Sequence, residues 1–506
     1  MHPSLKSVFS IICFLSILAE ARSQEMLGIM NSNFTGVNNS IINPANTVTS
    51  DQTININLLA GDFFISSNYI FIHKKDYDFL KIFRVNIMDP QYLYIYEYPK
   101  VNYSDSVYYY DYYKNSRPKN IYLNARIVGP SVMYHKGKHA FSFITGLRNN
   151  TSVVKLPYDL ANFIYRGQQF RTQQNNTYTD GQIRFTALSW AEIGLGYAYT
   201  IRRDHDYELN AGITIKALLG LGAAYGVINN LTYMIPNVDS LYVNDMNGTI
   251  GFSMPFNAAN NTAAIDPLIK GTGIGFDFGI SYLKLNQKTD RGQKSSIWLQ
   301  GTQQNYLYKV GISLIDVGKI NFNKLVQVHE FNNVNNALWS GLRTFAPTNF
   351  EQILRSASYN LLGDSSASLS SKTRISICLP TAASFQFDYN FGDNLFVNAT
   401  FVQGMRLGQI SVRRPALIAL TPRYETRYWE VNLPISFYDF RDPQLGIAIR
   451  IFSLVIGTEK LGTFLNLTDV NGMDVYFSLG FNIVPKEKSP SGKCDSYEDY
   501  KRYRIR

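Results

Sequence analysis

The sequence predicts an all-β protein, a transmembrane antiparallel β-barrel of roughly 14 strands between residues 51 and 484. Apolar and polar residues alternate with period two in many segments, and several of these segments adjoin as long hairpins. Beyond the N-terminus, no apolar run reaches the roughly 18 residues that a helical membrane span needs. With 45% hydrophobic residues the chain is too apolar for wholesale disorder, and 3 Cys cannot form a disulfide scaffold.

Residues 1–23 are expected to be a secretory signal peptide. Lys6 precedes the apolar stretch Val8–Leu18, and small residues follow it. That stretch is only half the length of a helical span. Cleavage after Ala21 or after Ser23 is open, and Ser23 is preferred. The mature chain is therefore expected to be exported.

The alternation itself separates a membrane barrel from a soluble β-sandwich. Ile193–Ile201 and Gly273–Tyr282 each place large apolar side chains on one face and small or polar ones on the other. The longest alternation runs from Arg374 to Phe391 and is expected to form one continuous strand. Strands of a sandwich usually have about 5–6 residues. Long hairpins with aromatic ends fit a barrel whose apolar face meets lipid.

The predicted connections divide into short turns and long loops, an asymmetry typical of outer-membrane barrels. The short ones are His135–His139, Arg202–Asp206, Gly392–Asn394 and Asp439–Gln444. The long ones are Lys74–Asn120, Asn149–Trp190, Asn229–Lys270 and Asn323–Lys372. In the last loop, apolar residues at helical spacing from Phe350 to Leu361 predict a short helix. The Tyr-rich segment Tyr92–Tyr113 either binds a partner or caps the barrel, and capping is the preferred interpretation.

Charged residues on the polar faces of the predicted strands are candidates for the barrel interior. Opposed charges there would either bridge and rigidify the barrel or line a polar path, and bridging is favoured. The candidates are Arg126, Asp277, Arg374, Asp388, Glu430 and Arg450.

Little in the sequence indicates catalysis, a metal or a cofactor. His135 and His139 flank a predicted turn, whereas zinc needs three or four converging ligands. There is no Gly-x-Ser-x-Gly element. The formal charge of +10 comes from scattered Lys and Arg, so nucleic acid is not an expected partner. No cofactor is expected.

Four stretches in a fixed order carry a family resemblance. They are Met30–Val37 with Asn43–Ala45, Ser313–Ile320, Arg414–Glu425 and Gly472–Phe477. With them the chain resembles a poorly characterised outer-membrane β-barrel family widespread in Bacteroidetes, which is distantly similar to the fatty-acid-transport porins of the FadL type. The resemblance implies a monomeric barrel that passes hydrophobic small molecules. It also implies an N-terminal plug over residues 24–50, with Asn31, Gly36, Asn43, Pro44 and Ala45 as plug candidates.

These observations favour a non-enzymatic channel or carrier for small, hydrophobic molecules, surrounded by outer-membrane lipid. The alternative is a barrel scaffold that binds an exported, surface or periplasmic protein, and a barrel enzyme such as a phospholipase ranks third. A channel predicts a route past the plug, a scaffold predicts a blocked lumen, and an enzyme predicts a hydrogen-bonded Ser–His pair. Residues 485–506 are expected to form a flexible basic tail.

Overall fold

The computed structural model describes residues 26–30, 32–50, 53–74, 93–95, 108–166, 171–254, 267–286, 306–441 and 443–483. The expected signal peptide, the plug candidate Asn31 and the expected tail lie outside the described residues. So does most of the segment Tyr92–Tyr113.

Fourteen antiparallel strands form one closed barrel, which confirms the predicted fold class and strand number. The first strand pairs with the last, Ile54 opposite Ile483, and its other edge pairs with the second strand, so neither edge is open. The strands are β1 (Ile54–Ser67), β2 (Lys119–Val128 and Ser131–Lys136), β3 (His139–Leu156), β4 (Thr177–Arg203), β5 (Tyr207–Asn237), β6 (Ser240–Ser253 and Gly271–Leu285), β7 (Tyr306–Phe322 and Val326–Trp339), β8 (Ile375–Cys378 and Ala382–Gly392), β9 (Leu395–Gly404), β10 (Leu417–Glu425), β11 (Trp429–Asn432 and Ile435–Tyr438), β12 (Pro443–Leu445 and Ile447–Ile451), β13 (Leu454–Thr458) and β14 (Gly472–Ile483).

The outer surface of the barrel is apolar and its interior contains many polar side chains. Leu195 is 64% exposed and Ile312 is 60% exposed, whereas Asp277 and Glu430 are at most 1% exposed. In water this arrangement would leave the large apolar side chains solvated and the charges desolvated. An apolar outer band of this kind is typical of barrels that lie in a lipid bilayer.

Strand β8 differs from the prediction of one continuous strand over Arg374–Phe391. Ile377 is fully buried inside the barrel, whereas Phe385 on the same expected face is 43% exposed. The face changes between the two parts of β8, where Pro380 has no N–H for the ladder and the Thr381 hydroxyl donates to the Asp316 carbonyl at 2.6 Å. Ile377 thereby joins an internal apolar cluster with Trp190 that the simple polar-lumen expectation missed.

The connections between strands differ in length at the two ends of the barrel, as predicted, but several individual loops are shorter than predicted. The turn end carries tight reversals between β2 and β3, β4 and β5, and β8 and β9. At the loop end, β4 has 27 residues and β5 has 31, so much of Asn149–Trp190 and Asn229–Lys270 is strand, not loop. The short turn Asp439–Gln444 joins β11 to β12 at this same loop end. Short reversals are therefore not confined to one end.

The helices are short and lie mainly at the loop end or before β1. The predicted helix is present as Phe350–Leu362, where the Asn349 side chain accepts from the Gln352 N–H at 2.8 Å and Gly363 adopts φ +85° beyond its end. The other helices are Leu27–Met30, Gly36–Ile41, Pro44–Thr49, Tyr158–Arg166, Arg171–Gln173 and Leu461–Phe464. A small sheet consists of Ile70–Ile72, Leu93–Ile95 and Tyr108–Tyr112.

None of the described helices is both long and apolar enough to cross a membrane.

Candidate functional site: the plug, the lumen and the mouth cavity

The described residues 26–30 and 32–50, here called the plug, lie inside the barrel. Leu27, Ile42 and Ala45 are fully buried although they belong to no strand. The plug contacts the wall around the whole ring. Its partners include Glu459 beyond β13, Gln386 on β8, Gly212 on β5, and Ala140 and Ala198 on β3 and β4.

Three interior glutamates anchor the first part of the plug. Glu459 accepts a hydrogen bond from the Leu27 N–H at 2.9 Å, and Glu430 accepts one from the Ser32 hydroxyl at 2.7 Å. Glu425 accepts from the side-chain amide of Asn33 at 2.8 Å. Glu425 and Glu430 are also paired with arginines, and hydrogen bonds to such charged carboxylates are stronger than neutral ones. The anchors are nevertheless non-covalent, so the plug is held by contacts that can exchange for water.

A notch lined by glycine receives the second part of the plug. Asn43 donates to Gln386 Oε1 at 3.0 Å and to the Ile280 carbonyl at 3.2 Å, and its Oδ1 accepts from the Ala45 N–H at 3.0 Å. A Cβ at Gly212 would lie 2.6 Å from the Ala45 nitrogen, closer than real Cβ contacts. Only glycine therefore lets the wall approach the plug backbone here.

The same notch extends to neighbouring strands. A Cβ at Gly279 would overlap the Asn43 carboxamide and lie 2.9 Å from Pro44 Cδ, and one at Gly311 would lie 2.9 Å from Asn43 Nδ2. Gly36 adopts φ +51° and sits against the Asn55 side chain, so it also fits only without a side chain. The candidates Gly36, Asn43, Pro44 and Ala45 thus all lie in the plug where it meets the wall.

The lumen also holds a buried charge network centred on Asp316. Arg148 donates to both Asp316 oxygens at 2.7 and 2.8 Å, and Lys216 Nζ lies 2.9 Å from Asp316 and 2.7 Å from Asp277. Arg414 approaches Asp316 at 3.5 Å. Burying one carboxylate is tolerable only with such pairing, so these ion pairs cross-link β3, β5, β6 and β7 through the interior.

A second network lies beside the first part of the plug. Arg423 pairs with Asp388 at 2.5 Å and with Glu425 at 2.6 Å. Arg450 pairs with Glu430 at 2.9 Å and lies over the Phe34 ring at 4.1 Å. Two of the three anchoring glutamates, Glu425 and Glu430, are therefore also paired with interior arginines.

Five of the predicted interior charges lie on the inner face, and one does not. Arg126, Asp277, Asp388, Glu430 and Arg450 are all at most 6% exposed. Asp388 and Glu430 contribute to the plug-side network, whereas Asp277 belongs to the Asp316 network. Arg374 is exposed and precedes β8, so the prediction that it faces the lumen is wrong. The face changes between the two parts of β8, so Ile375 and Ile377 point inward before Pro380 and Arg374, on the other face, points outward.

Sequence reasoning missed Asp316, the hub of the first network. Strict alternation from Ile312 places residue 316 on the lipid face. A β-bulge opposite Phe276–Phe278 turns it inward, and Asp316 adopts φ +56° there. Asp tolerates this left-handed conformation better than most residues. The one available signal was a lone acid inside Ser313–Ile320, a stretch that carries the family resemblance.

A cavity of about 410 Å³ opens at the loop end, here called the mouth cavity. Its lining includes Phe64, Tyr122 and Tyr438, which pack in one apolar cluster with the plug residues Met26–Met30. Tyr438 also donates to the Glu459 carboxylate that anchors Leu27. Phe64, Tyr122 and Tyr438 thus lie between this cavity and the plug, in contact with both.

One Ser–His pair does lie within hydrogen-bonding distance, as an enzyme would require. His329 Nδ1 is 2.9 Å from Ser368 Oγ. Ser368 is 1% exposed, and within the described ranges no carboxylate hydrogen-bonds to His329. A nucleophile must reach substrate, and its base needs an orienting partner. We therefore assign this pair a structural role, fastening residues 364–370 to β7.

The described part of the chain contains no cluster of His, Cys, Asp or Glu suited to a metal ion. His135 instead contacts the Gly137 carbonyl at 3.1 Å, and His139 contacts the Tyr197 hydroxyl at 2.9 Å.

The fold and site define a class: closed fourteen-stranded β-barrels with an apolar exterior and an internal N-terminal plug. The chain belongs to DUF5723, a family of unknown function whose model matches residues 44–459. No curated protein matches the chain.

Among solved structures, the chain is similar to a FadL homologue of Pseudomonas aeruginosa, with 13% identity and a TM-score of 0.37 over 91% of this chain and 99% of that one. It is also similar to the toluene transporter TodX of Pseudomonas putida, with 11% identity and a TM-score of 0.31 over 90% and 96% of the two chains. Likenesses at this level carry no conclusion about what this chain binds.

Proposed function

We propose that this protein is a plug-gated, non-enzymatic channel or carrier for small, hydrophobic molecules in the outer membrane of a bacterium of the Bacteroidetes. The observation that carries the proposal is how the plug is held: hydrogen bonds and packing fix it to the wall, and these contacts can break and re-form, so that a route can open when the plug moves. Solute would enter at the mouth cavity and pass when the plug moves. The protein would act as a monomer, as the resemblance to FadL-type porins implies, and the closed barrel leaves no strand edge that must pair with a second copy.

The plug can be locked to test this proposal. Val48 packs with Ala140 and Ala198, so the double variant V48C/A198C places two thiols at neighbouring positions of plug and wall. The background should carry C378S and C494S, which leaves the signal-peptide Cys13 as the remaining native cysteine. The variant would be reconstituted into proteoliposomes. Uptake of small radiolabelled solutes would then be measured after the protein is oxidised and again after it is reduced.

We expect oxidation to abolish uptake and reduction to restore it. The single variant V48C under the same oxidant is the control, because it cannot form the plug-to-wall disulfide. Uptake that is equal in the oxidised and reduced states would refute plug gating. An absence of uptake by unlocked protein would refute transport itself.

The scaffold alternative has one observation in its favour. Within the described residues the lumen is filled by the plug and by paired charges, as a barrel that only binds other proteins would allow. Long β4 and β5 also extend to the loop end, where a partner could dock. Co-purification of a stoichiometric protein from native membranes, together with no uptake in the assay above, would support the scaffold over the channel.

A further inference from the structure

The mouth cavity combines positive charge with an aromatic wall. Arg117, Arg441 and Lys460 line it, and none of the three makes an ion pair within the described part of the chain. Phe64 and Tyr438 are among its aromatic residues. Unpaired cations beside an apolar wall are the groups that recognise an anion attached to an apolar body.

The one acid in the lining is already occupied by structural hydrogen bonds. Asp439 accepts from the Tyr122 hydroxyl at 2.8 Å and from the Ala416 N–H at 3.0 Å. These bonds hold a turn in which Asp439 and Phe440 both adopt positive φ, +49° and +55°. Such strain in a bulky residue persists only where the surroundings enforce it. Asp439 thus fixes the rim and does not pair with the cations.

Lys460 is the buried member of the three cations. It is 2% exposed, and its Nζ makes two long hydrogen bonds, 3.5 Å to Ser66 Oγ and 3.4 Å to Asn471 Oδ1, and lies 5.5 Å from the centre of the Phe64 ring. Burial lowers the pKa of Lys460 to about 8, and the nearby carboxylates of Asp474 and Glu459 reverse this effect only in part. An anion in the cavity would add an ion pair to these neutral contacts.

We propose that the mouth cavity binds small organic anions in which a carboxylate is joined to an aromatic ring. Arg441, Arg117 and Lys460 would hold the carboxylate, and the aromatic side chains would cover the ring. The role of this site as the entry point for transported solute rests on the proposed function, whereas the binding of the anion does not depend on that function.

Calorimetry on the purified full-length protein in detergent tests the proposal with three probes: benzoate, benzyl alcohol and inorganic phosphate. We expect saturable binding of benzoate, with benzyl alcohol and phosphate each at least 10-fold weaker. Removing one charge–charge hydrogen bond by R441Q should weaken benzoate about 10- to 100-fold. The control R202Q removes an arginine that is exposed at the turn end and should leave the affinity unchanged.

Three outcomes would overturn the proposal. If benzyl alcohol binds as tightly as benzoate, the negative charge of the ligand is not recognised. If phosphate binds as tightly as benzoate, the aromatic wall does not contribute to the affinity. R441Q binding benzoate as well as the native protein would place the anion elsewhere. R117Q, at an exposed arginine, provides a second variant should R441Q fail to fold. Benzoate binding without uptake in proteoliposomes would defeat the proposed channel function and leave this site intact.

Discussion

Replacing Gly212 by alanine should loosen the plug without disturbing the barrel. The new Cβ would lie 2.6 Å from both the Ala45 nitrogen and the Pro44 carbonyl carbon. Carbon contacts are comfortable at about 3.5 Å, so the plug must retreat by about 1 Å. Backbone atoms cannot rotate out of the way as a side chain would. The wall strand is held by its ladder with β4 and β6, so the plug is the part that moves.

The size of the effect follows from the hydrogen bonds of Asn43. A retreat of about 1 Å would stretch its bonds to Gln386 at 3.0 Å and to Ile280 at 3.2 Å beyond hydrogen-bonding range. Two such bonds contribute about 1–3 kcal/mol together. The population with the plug released should therefore rise about 5- to 150-fold.

The release can be measured as the rate at which a maleimide labels V48C, since Val48 is 1% exposed while the plug is seated. The matched control is Gly226→Ala in the same strand, where a Cβ would meet only the Phe185 side chain, at 3.8 and 3.9 Å. We expect faster labelling and larger conductance with Gly212→Ala, and no change with Gly226→Ala. Equal labelling of both variants, in barrels that fold normally, would show that the glycine notch does not hold the plug.

Three further predictions follow from the interior and the mouth. Asp316→Asn should lower the free energy of unfolding by about 3–5 kcal/mol, because it leaves Arg148 and Lys216 buried without their shared charged partner. The control R202A, in an exposed ion pair, should change the free energy of unfolding by less than about 1 kcal/mol. Urea titration in detergent measures both, and equal effects would show that the ion pairs of Asp316 do not stabilise the barrel. Ile377→Ala should cost about 2–5 kcal/mol in the same assay, since Ile377 is fully buried, and a negligible cost would mean that it faces lipid after all. Benzoate affinity should fall as pH rises through about 8, because burial lowers the pKa of Lys460 to about 8 and only its protonated form attracts the anion. The other charged groups nearby are Glu459, Asp474, Asp439, Arg117, Arg441 and Lys119, whose pKa burial also lowers to about 8. A pH-independent affinity from pH 6 to 10 would exclude a role for Lys460.

The sequence by itself determined the fold class and the strand number. Period-two alternation is a local consequence of strand geometry, and an apolar face toward lipid repeats it in every strand. Segments such as Gly273–Tyr282 therefore identify their faces without any knowledge of their neighbours. The helix near Phe350 was also predictable, because its spacing and its Asn349 cap are local signals.

Only the tertiary structure decided where the alternation breaks and which side chains meet. The bulge at Asp316 and the change of face at Pro380 each exchange the residues that face the lumen with those that face outward. Both depend on hydrogen bonds to another part of the chain. The notch for Asn43 likewise brings together glycines from three strands that are far apart in sequence from the plug. Because successive side chains alternate between the two faces of a strand, a single bulge that the sequence does not reveal assigns every later side chain to the wrong face. For that reason the sequence could locate the wall, while the plug contacts, the charge pairs and the mouth cavity emerged only once the strands closed into a ring.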